Sequence, residues 1–187
     1  MTEESIAKGK IFELVQIPQA DGRVFEVARR APGVRIIIHD DVNKKILLTR
    51  EFRRELGEYD YRLPGGKVFD TLDEFAAFRT SGNDIIEAAK QQAIVEAQQE
   101  AGVEITELGL YKKSVLGATV EWDLYVFATN NWQLHVDGQE LEVGETIDAD
   151  TWVSYDEARA MTIEGKMKEE RIALILLQWI EGRDNED

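Results

Sequence analysis

A mixed α+β chain is predicted, an α/β/α sandwich around one sheet, with strands leading and a few helices interposed. Three observations carry this. β-branched and alternating runs dominate residues 10–63, small and charged residues at helical spacing fill residues 85–101, and Gly/Pro/Asp clusters punctuate the chain between them. The 187 residues are 43% hydrophobic, enough to bury one sizeable core.

Residues 10–17 and 23–31 read as two strands joined by Ala20-Asp21-Gly22. Pro32-Gly33 breaks the chain, and residues 34–39 form a nearly continuous β-branched run, as in a strand buried on both faces. After the turn Asp40-Asp41-Val42-Asn43, residues 46–52 are the next strand, and residues 57–63 lead into Pro64-Gly65-Gly66. Residues 72–78 have the makings of a helical turn or two. Asn83 or Asp84 is placed to cap a helix that runs to about Ala101 and stops at Gly102. Residues 108–114 and 121–128 read as strands, residues 136–146 as an acidic loop, and residues 147–153 as a short strand. Ser154-Tyr155-Asp156-Glu157 has the form of a capping box, and residues 166–180 have helical spacing.

Charge and composition exclude several functions. Thirty-seven acidic residues against 22 basic ones leave a net charge of −15. Nucleic-acid backbones and anionic membranes recruit clustered Lys and Arg, so neither is an expected partner. A polyanion remains accessible if a divalent cation bridges the like charges. With no cysteine and two histidines, His39 and His135, thiol chemistry is excluded and a multi-His metal centre is not expected. Hard cations on carboxylates stay open. The apolar run at residues 172–177 is far short of the ~20 residues needed to span a bilayer. The first residues lack a signal-peptide pattern, so a cytoplasmic protein is the expectation.

The helix over residues 85–101 is the informative piece. Ala89, Ala93, Ala97 and Ala101 recur every fourth residue, a small-residue stripe that lets a helix sit close on a sheet. Glu96 and Glu100 fall ~20° either side of Ala89 on the helical wheel, at the edge of the apolar face. Two carboxylates one turn apart at such an edge repel each other and resist desolvation. A divalent cation relieves both costs, while a solvated acidic stripe with a basic partner is the alternative.

Gly66, Glu87, Glu96, Glu100, Gly102 and Val103 stand in a register that resembles the Nudix hydrolase box, G-x5-E-x7-R-E-U-x-E-E-x-G-U with U a bulky aliphatic. The departures are Val95 at the position of the Arg that braces the glutamates, Gln99 for a Glu, and Ala97 at an aliphatic position. Twenty residues (67–86) also stand where the motif has five. The extra stretch, about residues 68–82, is either a lid or a surface insertion. The wider pattern resembles the ADP-ribose pyrophosphatase branch of that family. Residues 45–53 resemble a strand ending in Gln-Tyr-Arg, Leu63-Pro64-Gly65-Gly66 a Leu-Pro-Ala-Gly, and residues 116–121 a loop that ends in a substrate-contacting Glu. Residues 142–147 resemble the acidic loop before a Trp-Val strand, here Trp152-Val153.

The resemblance implies the Nudix fold over residues 34–187 and an N-terminal strand region, residues 1–33, that dimerises. It implies magnesium or manganese held by Glu96, Glu100, the Gly65 carbonyl and Glu145. It also implies Glu145 as catalytic base, with Glu142 as the alternative. Arg53, Glu121 and Gly66 are the implied substrate contacts, Arg53 as a phosphate fork or else as a strand-end charge. The implied reaction splits a nucleoside diphosphate sugar, ADP-ribose first, into a nucleoside monophosphate and a sugar phosphate. A catalytically impaired module that binds a nucleotide sugar is the alternative. Arg54 is read as surface, Trp122, Trp152 and Trp179 as core, His39 as structural, and His135 is given no role. Phe25 is read as packing, or as a stacking surface for a base across a dimer.

Overall fold

The computed structural model describes residues 2–141 and 146–184. In chain order its elements begin with strands β1 (Glu4–Lys8), β2 (Phe12–Pro18), β3 (Val24–Arg30), β4 (Gly33–Asp40), β5 (Lys45–Arg53) and β6 (Glu58–Arg62). Helices α1 (Leu72–Ser81) and α2 (Ile85–Ala101) follow. Then come β7 (Val103–Ile105), β8 (Gly109–Ser114), β9 (Val120–Glu121), β10 (Leu124–Thr129), β11 (Trp132–Leu134) and β12 (Ile147–Ser154). Helices α3 (Tyr155–Ile163) and α4 (Glu170–Asp184) close the chain. No helix among the described residues is long and apolar enough to cross a membrane. The sheets run β1-β2-β3-β9, β12-β5-β4-β10-β8 with β6 on β5, and β11-β7.

Contacts divide the chain into two compact units. The first contains Met1–Arg35, Gly66–Ala93 and Leu110–Val126. Its sheet is built on the β2/β3 hairpin, paired Val15↔Val27 and Ile17↔Phe25. Parallel pairing with β9 sets Arg29 beside Glu121. The inner face buries Val15 and Val27. β1 is wholly exposed, its single large apolar residue Ile6 makes no alternation to announce it, and pairing with β2 makes it a strand. The inserted stretch is a helix of three turns. Thr71 caps it by accepting from the Glu74 N–H, and Gly82 ends it in the left-handed region. It is fastened within this unit. The Leu72 N–H donates to the Lys10 carbonyl at 3.0 Å, Lys8 pairs with Asp73, and Phe69 packs on Phe75 and Phe78 with centroids 5.5 and 4.9 Å away.

The second unit contains Ile36–Gly65, Ile94–Gly109 and Phe127–Asp187. Ile36, Ile37, Ile38, Ile46, Leu47, Leu48, Phe127, Ile172, Leu176 and Ile180 are all at most 1% exposed. Each such burial is worth about 1.5–3 kcal/mol, which makes this packing the main support of the unit. The expected capping box is present, with Glu157 N–H donating to Ser154 Oγ and Ser154 N–H to the Glu157 carboxylate. The last helix begins at Glu170 rather than at residue 166. Gly165 turns the chain at φ 70°, and the Lys168 N–H is taken by the fully buried Asp60 carboxylate at 2.8 Å.

Two further differences from the sequence expectation have local causes. Residues 121–128 do not form one strand, because the chain breaks at Trp122-Asp123, where the Asp123 carbonyl accepts from Gly33 and its carboxylate pairs with Lys113. The three-residue strands β7 and β11 are too short to show a period, and they exist through the pairing Trp132↔Ile105 and Leu134↔Val103.

Candidate functional site

Helix α2 positions the central residues. The Asp84 carboxylate accepts from the Ile86 N–H at 2.8 Å, which satisfies a first-turn donor. Ala89, Ala93 and Ala97 are 0% exposed and Ala101 is 7% exposed, so the small-residue stripe is the packed face. Glu96 and Glu100 are half-buried, at the edge where the helical wheel puts them. The helix stops at Gly102, φ 63°, whose N–H returns to the Gln98 carbonyl at 3.0 Å.

The Pro-Gly-Gly loop meets this helix within the second unit. Pro64 is buried, and its carbonyl accepts from the Ile36 N–H at 2.9 Å. Gly65 then takes φ 141°, a backbone shape that favours glycine. Its N–H donates to Oε2 of Glu100 at 2.7 Å, so residues 35 apart in the chain are joined by a charge-assisted hydrogen bond. Gly66 belongs to the first unit, where its carbonyl accepts from the Val34 N–H and lies 3.1 Å from where a Cβ on Gly33 would sit.

The remaining expected residues have separate surroundings. Arg53 pairs with Glu51 at 3.2 Å and with Glu55 at 3.8 Å. Glu121, in the first unit, accepts from Arg29 Nε at 2.9 Å. Arg29 is 8% exposed and also reaches Glu3 at 2.6 Å and Glu13 at 3.3 Å. Burial works against its charge, but the hydrogen bonds it donates to Glu3 and Glu121 prevail and hold it well above the usual arginine range. The Glu3 carboxyl is correspondingly lowered by its hydrogen bond from Arg29. Glu87 is exposed and accepts from Gln91, Val95 is 44% exposed, and Gln99 is half-buried. Glu142 and Glu145 lie outside the described residues.

Among the described residues no three His, Asp or Glu side chains form a ready-made metal cage. That is compatible with magnesium, which is commonly held by one or two carboxylates together with water and substrate phosphates. The donor set of Glu96, Glu100 and the neighbouring backbone is all hard oxygen, and it fits that ion.

Sequence reasoning missed two features. One is the Arg29 hub, which joins residues from strands β2, β3 and β9 and Glu3 just before β1, and has no local signature. The other is Gln139, whose side-chain amide donates to the carbonyls of Glu100 at 2.6 Å and Ile147 at 3.2 Å. Gln139 also helps line a cavity of about 520 Å³ with Leu47, Ala101, Gly102, Ile147 and Trp152.

No protein-family model matches the chain, and no curated protein matches it either. Among solved structures it is similar to the crystal structure of an ADP compounds hydrolase, with a TM-score of 0.68 and 20% sequence identity. The alignment covers 98% of this chain and 94% of that one. At this identity the likeness speaks to architecture, and the fold of the chain is the mixed α+β Nudix fold.

Proposed function

We propose that the chain is a magnesium-dependent hydrolase of a nucleoside diphosphate sugar. Water adds across the diphosphate linkage, and the products are a nucleoside monophosphate and a sugar phosphate. The observation that carries this reading is the bond from Gly65 N–H to the Glu100 carboxylate. It ties the glycine loop to the glutamate-bearing helix and sets the orientation of a half-buried acid. The shared fold of an ADP compounds hydrolase supports the same substrate class.

Glu96 and Glu100, with the Gly65 carbonyl, are the proposed holders of the cation. When bound, magnesium or manganese supplies charge neutralisation at the diphosphate and lowers the pKa of water. Gly65 N–H holds the Glu100 carboxylate in place. Glu145 is the proposed proton acceptor, with Glu142 as the alternative, a role worth typically 10²–10⁴-fold in rate. Arg53 and Glu121 are proposed to contact the substrate, Glu121 in an orientation set by Arg29. We also propose a homodimer through residues 1–33. The exposure of Ile6, Phe12, Val24 and Phe25 on the N-terminal strands supports it, and sedimentation velocity tests it.

One observation favours a second reading. Val95 is 44% exposed and Gln99 is neutral, so the helix carries fewer charged groups than the motif it resembles. A binding module without turnover is the corresponding function. A panel of nucleoside diphosphate sugars, assayed with magnesium for release of phosphomonoester, separates the two. Turnover that Glu100→Gln abolishes supports the hydrolase. Magnesium-dependent binding without turnover supports the module. Neither binding nor turnover rejects both.

A further inference from the structure

The last turn of α2 leaves backbone carbonyls that the helix itself cannot satisfy. Gly102 N–H donates to Gln98 at 3.0 Å, Glu140 N–H to Gln99 at 3.0 Å, and Gln139 Nε2 to Glu100 at 2.6 Å. Just beyond the helix, His135 N–H donates to the Gly102 carbonyl at 2.9 Å. Three of these four donors come from residues 135–140. The segment also sits hard against the helix stop. A Cβ on Gly102 would lie 3.0 Å from the Gly138 carbonyl carbon and 3.0 Å from the Gln139 nitrogen. The end of α2 is thus held from outside at consecutive carbonyls, and Glu100 carries its acid to Gly65 from that same turn.

We propose that Gln139 is a positioning residue for Glu100. Its amide, bonded to the Glu100 carbonyl, fixes the backbone from which the Glu100 carboxylate reaches the Gly65 N–H. Its second bond, to the Ile147 carbonyl, anchors that amide to the start of β12. The role in cation binding rests on the function proposed above. The effect on the Gly65–Glu100 bond does not.

The test uses the full chain and the near-isosteric Gln139→Glu, which replaces the donor with a carboxylate that repels both carbonyls. Two quantities are read. In metal-free protein the amide proton resonance of Gly65 reports its bond to Glu100, with Glu100→Gln as the reference for a weakened acceptor. The affinity for Mn²⁺ alone, followed by electron paramagnetic resonance, reports the cation site. Gln139→Glu is expected to move the Gly65 resonance toward that of Glu100→Gln and to weaken Mn²⁺ binding about 10-fold or more, as loss of a ligand-orienting partner typically does. Gln139→Lys keeps a donor for both carbonyls, next to the negative end of the helix, and is expected to restore both readouts. A folded Gln139→Glu with an unchanged Gly65 resonance overturns the proposal, whatever its melting temperature. If Gln139→Glu does not fold, a Gln139→Lys whose Gly65 resonance departs from wild type also overturns it. If wild type binds no Mn²⁺, the proposed function fails, and the Gly65 resonance still decides the role of Gln139.

Discussion

The backbone N–H of Gly65 and the carboxylate of Glu100 meet at 2.7 Å, although 35 residues separate them in the chain. Replacing the acid with an amide keeps an acceptor for that N–H but removes its charge. Glu100→Gln is therefore expected to change unfolding free energy by no more than about 1 kcal/mol, because the hydrogen bond survives in neutral form. The same variant is expected to lose about 100-fold or more in turnover of the correct nucleoside diphosphate sugar, since it removes a cation-holding charge. Urea denaturation beside the turnover assay checks both. A large stability loss with retained turnover contradicts the assignment.

Gly102 and Gly82 both end helices in the left-handed region, at φ 63° and 75°. A Cβ at Gly82 meets nothing within 4 Å, while one at Gly102 runs into the backbone of Gly138 and Gln139. Gly82→Ala is expected to cost about 1 kcal/mol, from conformational strain alone. Gly102→Ala is expected to cost a further 1–3 kcal/mol or about that, because backbone rather than a flexible side chain must yield. Equal losses in chemical denaturation would refute the close docking of residues 135–140.

His39 is 4% exposed, with its ring 4.7 Å from Trp179 and its Nδ1 3.0 Å from Asp41. Burial pushes its pKa below the usual 6.5. Asp41 opposes that shift and the nearby Arg183 charge adds to it. The folded state therefore resists protonation more than the unfolded one. Stability is fully present above about pH 6.5 and declines as the pH falls below it. Asp41 itself is pushed up by burial, yet hydrogen bonds from Asn130 and Tyr155 and the charges of His39 and Arg183 bring it below its ordinary value. The lowered carboxylates Glu3, Asp40, Asp41 and Glu157 act in a more acidic window, and the raised lysines in an alkaline one. The melting temperature of wild type is expected to fall between about pH 7 and 5, and that of His39→Asn to fall less. Parallel curves for the two proteins would exclude His39 as the source.

The inserted helix α1 is held by two kinds of contact whose worth differs. The Lys8–Asp73 pair is exposed, with side chains 43% and 85% accessible, so Asp73→Asn is expected to cost less than about 0.5 kcal/mol. Phe69 stacks on both Phe75 and Phe78 and is half-buried. Phe69→Ala is expected to cost about 1–3 kcal/mol, below the range for a fully buried Phe. Thermal denaturation ranks the two. The reverse order would mean that charge, not packing, fastens the insertion.

Much of the local architecture was legible because it rests on short-range chemistry. The β-branched run of β4, the alanine stripe of α2, the Ser154 capping box and the stop at Gly102 are each written in neighbouring residues, as was the placing of Glu96 and Glu100 at a buried edge. Strand β1, the three-residue pair β7 and β11, and the break at Asp123 were not legible, because each exists through a partner distant in sequence. The same division runs through the candidate site. Helical spacing set Glu96 and Glu100 at a buried edge, and the resemblance to a known motif added Gly65 and Gly66. That Gly65 N–H selects the Glu100 carboxylate, that Arg29 holds Glu121, and that Gln139 holds the end of α2 was decided only by tertiary structure. A hydrogen bond between segments dozens of residues apart depends on where the packed core places both backbones, and no local propensity encodes that placement.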